Sequence, residues 1–177
     1  MEKKILIVID MINDFVKEGG ALYFEAGEKI IPAIKKQVDK YRKNRLPIIF
    51  LCDKHDNDDE EFDRFPAHAI ERTQGADIVN GLRPINYQNE YEIDKTRFDG
   101  FYNTDLDLLL SLHYSNINKV EIVGVCTSIC VMETAGSFVD RNWDVSILSD
   151  CVADLTPENH HMALERMKNI YGVKIIN

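Results

Sequence analysis

Cys130 closes the turn Val123-Gly-Val-Cys-Thr-Ser-Ile-Cys130 and stands near the start of a stretch with helical spacing. A helix N-terminus carries about half a positive charge and lowers a thiol's pKa. The open N–H groups of such a turn can also hold an oxyanion. Cys130 is therefore a candidate nucleophile, and Cys126, four residues earlier, is its rival. The same pair could offer two ligands on one helix face, although a structural zinc site needs a second pair. A free cysteine in an apolar helix is more often a small core residue. Asp10 ends the apolar run Lys4-Ile-Leu-Ile-Val-Ile-Asp10. A carboxylate there could take a proton from a thiol and pass it to a leaving amine. Lys95 follows Tyr91-Glu-Ile-Asp94 and could hold the thiolate and carboxylate charges together. Taken singly, Asp10 reads as a solvated strand end or cap and Lys95 as a surface ion pair.

Asp53-Lys-His55 puts two potential ligands two residues apart just past another apolar run, and His68 follows thirteen later in the same polar stretch. Neutral imidazoles with a carboxylate suit a divalent transition metal, and three protein ligands leave positions open for water or substrate. The neighbouring Asp56, Asp58, Asp59, Glu60, Glu61 and Asp63 read on their own as a solvated acidic loop. His113, His160 and His161 fall on helices or their ends and read as surface or capping residues.

The elements that must position these groups follow from periodicity. The apolar runs before Asp10 and Asp53, the latter being Leu46 to Cys52, suit strands buried on both faces. Further strands are expected at Tyr91–Asp94, at 119–124, at Trp143–Leu148 and at 173–176. Helices are expected from Glu28 to Asn44, from Asp105 to Tyr114 with Thr104 as N-cap, from Ser128 to Arg141, and from Pro157 to Tyr171 with Gly172 closing it. Strands alternating with helices predict an α/β fold, a three-layer α/β/α sandwich on a mostly parallel, Rossmann-like doubly wound sheet. Lys54 to Glu90 is long for a loop, and loops of that length are usually functional or mobile. In such sheets the ligand site lies beyond the carboxyl ends of the strands. That rule gathers Asp10, Asp53, Lys95, the turn from Gly124 to Cys130, and Asp150 at one edge.

Composition bounds the rest. The chain has 177 residues, 45% hydrophobic and 29% charged, with a net charge of −9. At about 150 residues per domain this is one domain spanning 1–177. No apolar run approaches the roughly 20 residues of a membrane span. The apolar stretch after the basic start is too short for a signal peptide. An acidic surface disfavours phosphate backbones, so nucleic acid is not an expected partner. Four cysteines without a secretion signal point to reduced thiols and a cytoplasmic protein.

Taken together, the motifs resemble the nicotinamidase/pyrazinamidase branch of the isochorismatase-like cysteine hydrolases. Asp10-Met-Ile-Asn-Asp-Phe15 resembles the opening motif. Asp53-Lys-His55 with His68 and Thr73-Gln-Gly-Ala76 resembles the metal segment. Lys95-Thr-Arg-Phe98 with Phe101 and Thr104-Asp-Leu106 resembles the lysine segment. Gly124-Val-Cys-Thr-Ser-Ile-Cys-Val131 with Thr134-Ala135 resembles the nucleophile turn. Ile12, Lys54, Cys126 and Ser128 depart from the family's usual residues. The resemblance implies a catalytic triad of Asp10, Lys95 and Cys130, and it selects Cys130 over Cys126. It implies a cis peptide at Val125-Cys126 and an oxyanion hole from the backbone N–H groups of Cys126 and Cys130. It implies a divalent metal on Asp53, His55 and His68, with Glu61 as a further ligand; zinc is expected, with iron or manganese as alternatives. Phe15, Phe65 and Phe98 match positions that stack a pyridine ring. The implied activity is hydrolysis of nicotinamide to nicotinate and ammonia through a thioester, in a homo-oligomer serving pyridine nucleotide salvage. Two other readings stand beside it. One is a metal-free family member acting on another small amide, such as a carbamoyl or ureido compound, or on an isochorismate-type vinyl ether. The other is a non-catalytic binding protein of the same fold.

Overall fold

The computed structural model describes residues 3–86 and 88–177. Six strands form one sheet: β1 (Ile5–Ile9), β2 (Ile48–Asp53), β3 (Glu90–Lys95), β4 (Lys119–Val125), β5 (Asp144–Ala153) and β6 (Lys174–Ile176). Their order is β3-β2-β1-β4-β5-β6, and every pairing is parallel. The α/β expectation therefore holds. The order reverses between β1 and β4, and a crevice at the carboxyl end of such a switch point is the natural ligand site of a doubly wound sheet.

The continuous apolar runs are explained by burial on both faces. Leu6 and Val8 of β1 enter one core with Ile34, Val38 and Phe50. Ile5, Ile7 and Ile9 enter a second core with Leu106, Val131 and Phe138. Each core is capped by helices: α1 (Asn13–Val16), α2 (Glu25–Lys29) and α3 (Ile31–Lys43), then α4 (Leu106–His113), α5 (Met132–Asp140) and α6 (Pro157–Arg166). Gly124 holds β4 against β1: its φ is +120°, and a Cβ there would run into the Ile9 carbonyl. Only glycine accepts both conditions at low cost.

Four expected elements differ in detail. The helix expected over 28–44 is broken between α2 and α3, because Pro32 has no N–H to bond back to Glu28. The helix expected from Ser128 opens as a π-turn over Thr127–Val131 before α5 begins. The long polar stretch after β2 is organised by one-turn 3₁₀ helices at Glu60–Asp63 and Gln74–Ala76. It is also tied by a parallel bridge between His55 and Ile70. Finally, β5 does not stop at Leu148. Its register against β4 shifts between Ile122 and Gly124, and the strand resumes through Val152 and Ala153. The pairing to β4 is thus interrupted around Ser149-Asp150 while the strand runs on, and Asp150 is exposed. The polar pair looked like a strand end; a β-bulge produces the same local signature. Asp154, buried, takes the position at the edge.

Candidate active site

Three strand ends and one turn bring the expected chemistry together. Asp10 follows β1 with a positive φ of 53°, a conformation that aspartate tolerates better than most residues. Its N–H donates to Leu51 O at 2.9 Å. Its Oδ1 accepts from Asp53 N at 2.8 Å. Its Oδ2 lies 2.9 Å from Lys95 Nζ yet has no well-aligned hydrogen-bond partner among the described residues. Lys95 ends β3 beside Asp53, its register partner on β2, and donates a short hydrogen bond to Asp53 Oδ1. The same Nζ is 3.6 Å from Cys130 Sγ. Asp10 and Lys95 are entirely enclosed and Cys130 nearly so, so none of these charges is on the solvated surface where each would sit alone.

Burial and mutual charge set their protonation. Asp10 is pushed up to about 6, by burial first and by the Asp53 charge next, against the pull of Lys95. Burial acts on Asp53 too, but Lys95 and His55 hold its carboxyl below the usual range. Burial would discharge Lys95, but Asp10 and Asp53 keep it firmly ammonium. The Cys130 thiol is raised by burial and relieved in part by Lys95. Two carboxylates thus share one cation and separate into a fixed anion, Asp53, and a base near neutrality, Asp10; that separation is how one site divides acid and base roles.

The peptide between Val125 and Cys126 is cis, as expected. In the turn that follows, the Cys126 carbonyl accepts from Ile129 at 3.1 Å and from Val131 at 3.2 Å, stepping over Cys130.

Beside the triad, ligand atoms of Asp53, His55 and His68 lie within 4.8 Å of one another. Asp53 Oδ2 is 3.9 Å from Nε2 of each histidine, and Glu61 Oε1 is 4.0 Å from His68 Nε2. The outer nitrogens are held: His68 Nδ1 meets Pro66 O at 2.7 Å, and His55 Nδ1 meets Asp59 Oδ2 at 3.0 Å. Each ring therefore turns its Nε2 inward, held in place by the outer bond as metal-binding imidazoles are. His55 Nε2 and Glu61 Oε2 are buried without hydrogen-bond partners among the described residues. Buried polar atoms left unpaired are costly, so the donor set fits a divalent cation. Asp59 does more than hold His55. It caps the Glu61 turn through Glu61 N at 2.8 Å and accepts from Arg97 at 3.0 and 3.1 Å.

Asp10, Cys130, Asp53, Glu61 and His68 open onto one cavity of about 100 Å³ whose wall includes Phe15, Phe65 and Phe98, while Lys95 and His55 do not line it. Phe65 and Phe98 meet edge to face, 6.3 Å apart at 85°. A flat ring lying against one of them meets the other by its edge. Leu22, Phe24, Ile129 and Leu155 complete the wall, and single-sequence reading gave none of them a role. Asp14 joins two of the walls: Oδ2 accepts from Ala69 N at 2.8 Å and Oδ1 from Ala21 N at 3.2 Å. A Cβ on Gly75 would run into that carboxylate. Lys54, a departure from the family pattern, points away from the cavity and pairs with Asp94 at 2.6 Å. His113 and His161 are exposed as expected. His160 is half-buried, with Nδ1 against the Thr127 hydroxyl.

The doubly wound sheet thus gathers a buried acid, amine and thiol at its switch-point edge. The profile of the isochorismatase domain matches residues 4–176, and the chain belongs to that family. Among solved structures it is similar to the nicotinamidase/pyrazinamidase PncA of Bacillus subtilis, with a TM-score of 0.92 and 34% identity over 99% of this chain and 100% of that one. It is also similar to a pyrazinamidase of Pyrococcus horikoshii solved in complex with zinc, with a TM-score of 0.89 and 32% identity over 99% of each chain. A curated relative from Arabidopsis thaliana, 35% identical over 96% of this chain and 89% of its own, is described as a probable inactive nicotinamidase.

Proposed function

We propose that this protein is a single-domain amidase that hydrolyses nicotinamide to nicotinate and ammonia through a thioester on Cys130. The observation that carries the reading is the contact of Lys95 with both Asp10 and Cys130, two residues that line a small, aromatic-walled cavity. The protein resting on this site holds a neutral thiol beside a carboxylate of pKa about 6. Asp10 takes the thiol proton as Sγ attacks the carboxamide carbon, so no free thiolate has to persist in the buried site. Lys95 stays charged throughout and offsets the carboxylates and the developing thiolate. The carbonyl oxygen, now an oxyanion, is received by the N–H groups of Cys126 and Cys130. Asp10 returns its proton to the departing nitrogen, the C–N bond breaks, and ammonia leaves a thioester. Water deprotonated by Asp10 then cleaves the thioester to nicotinate and restores the thiol.

Asp53, His55 and His68, with Glu61 beside them, would hold a divalent metal, zinc by their donor set, serving as a Lewis acid toward the pyridine nitrogen. The rings of Phe15, Phe65 and Phe98 would orient the flat substrate and keep water out. A cavity near 100 Å³ favours a single six-membered ring with one small substituent. Two features bear on the rival readings. The description of the Arabidopsis relative favours a non-catalytic binding protein, but a scaffold has no use for a buried acid, amine and thiol in contact. A metal-free amidase for carbamoyl compounds would leave His55 Nε2 and Glu61 Oε2 unexplained.

The test is ammonia release from a panel holding nicotinamide, pyrazinamide, a ureido acid and an aliphatic amide, run with and without chelator. Release from the pyridine and pyrazine amides alone, weakened by chelator, is the expected result. Release from the ureido acid alone, or from nothing, overturns the proposal.

A further inference from the structure

Two polar side chains outside the triad reach the nucleophile turn from the chain's C-terminal segment. Asp154 follows β5 and is only 4% exposed. Its Oδ2 accepts from Ser128 N at 2.5 Å and its Oδ1 from Leu155 N at 2.8 Å. His160, on α6, meets the fully buried Thr127 hydroxyl through Nδ1 at 2.9 Å. Residues 127 and 128 are thus each tied from outside the turn, and both lie between Cys126 and Cys130.

The turn needs such ties. Its Thr127–Val131 portion is wound as a π-turn, a form that gives up the regular i to i−4 ladder and clusters at functional sites. Local bonds therefore fix it less firmly than they fix an α-helix. A buried carboxylate accepting a backbone N–H is a strong, charge-assisted contact in a low-dielectric setting. The segment that supplies it is itself anchored, because Thr156 caps α6 through Asn159 N at 3.2 Å.

We propose that Asp154 is a positioning residue for the oxyanion hole: by holding the Ser128 peptide it sets the aim of the flanking Cys126 and Cys130 N–H groups. The inference rests on the amidase reading, since an aim matters only if an oxyanion forms there. Asp154 also holds Leu155 at the cavity rim, so the two effects must be separated. Asp154→Asn keeps an oxygen for Ser128 N–H and gives up the bond to Leu155; Asp154→Ala gives up both.

The experiment compares wild type, D154N and D154A in three readouts: kcat and KM for nicotinamide, affinity for nicotinate, and affinity for pyridine-3-carbaldehyde. The aldehyde adds to Cys130 and carries an oxyanion-like oxygen; nicotinate does not. In D154A, kcat and aldehyde affinity should each fall at least about tenfold, because misaimed donors cost transition-state binding. Nicotinate affinity and KM should stay within about twofold, and D154N should recover most of the loss. Equal loss of both ligands, or wild-type aldehyde affinity in folded D154A, overturns the positioning role. If D154A does not fold, D154L, which fills the space and offers Ser128 N–H no acceptor, takes its place under the same criteria: selective loss of kcat and aldehyde affinity is expected, and parallel loss of nicotinate and aldehyde binding, or no loss at all, overturns the inference. A wild-type chain inert to nicotinamide and to the aldehyde overturns the amidase reading and this inference together. A wild type active on both, with variants unchanged, overturns this inference alone.

Discussion

Asp53 donates its backbone N–H to Oδ1 of Asp10 at 2.8 Å, so the Asp53–His55–His68 cluster and the Asp10–Lys95–Cys130 group share a hydrogen bond. The bond uses one oxygen of Asp10 and leaves Oδ2, 2.9 Å from Lys95 Nζ, without a well-aligned partner among the described residues. Asp10→Asn should preserve the shape and the bond to Asp53, since an amide oxygen also accepts, yet it cannot carry a proton. We expect kcat to fall by about 10² to 10⁴ with melting temperature nearly unchanged. Steady-state ammonia release beside thermal denaturation checks this, and a variant at wild-type rate removes Asp10 from the proton path.

Cys130→Ala deletes the proposed nucleophile and leaves the cavity wall otherwise whole. Turnover should vanish, while nicotinate titrated by calorimetry should still bind. Cys126→Ala is the companion: the thiol is lost and the backbone N–H stays, so activity should survive. The reverse pattern would assign the chemistry to Cys126.

Lys95→Met removes the cation between Asp10 and Asp53. Two buried carboxylates then face each other uncompensated, and breaking a buried ion pair by removing one partner costs about 3–5 kcal/mol. Urea unfolding of wild type and variant measures it. A loss within about 1 kcal/mol, the range of surface pairs, would mean that water reaches the pair in solution.

How far single-sequence reading reached follows from what each residue's neighbours do along the chain. The strands before Asp10 and Asp53 were legible because burial on both faces leaves unbroken apolar runs. Once strands and their ends are known, the switch-point rule delivers Asp10, Asp53 and Lys95 to one edge. Cys130 was not separable from Cys126 by local chemistry, and motif resemblance made that choice. Asp154 was hidden because the bulge in β5 mimics a strand end. Asp59 was hidden in an acidic run whose other members are mostly exposed. His160 was hidden because its partner, Thr127, lies 33 positions away. Single-residue chemistry is readable in sequence; partnerships made across the fold are not.

His160 offers a stability test with a definite sign. Burial first, and the neighbouring His161 next, hold its pKa below the ordinary range, against the opposite pull of Asp154. The folded chain therefore binds this proton less readily than the unfolded chain, so acidification through the range below about 6.5 favours unfolding. Melting temperature should drop between about pH 7.5 and 5.5, and the drop should be shallower in His160→Gln. Parallel curves for the two proteins would show that the side chain is solvated in solution.

The metal prediction turns on Asp59, which reaches the cluster through the outer His55 Nδ1 and the Glu61 N–H. Its carboxylate keeps the proton on Nδ1 and the lone pair on Nε2, and it also caps the turn that presents Glu61. Removing a second-shell carboxylate of this kind typically weakens metal affinity by about 10- to 100-fold. Asp59→Ala should therefore lose zinc to a competing chelator indicator at correspondingly lower chelator concentration, whether or not the protein is assayed for turnover. Asp58→Asn, an exposed neighbour in the same acidic run, should leave the titration unchanged, which separates a specific bond from general charge. Equal weakening by both variants would mean that the loop acts through its charge alone. No weakening in Asp59→Ala would mean that His55 keeps its tautomer without help.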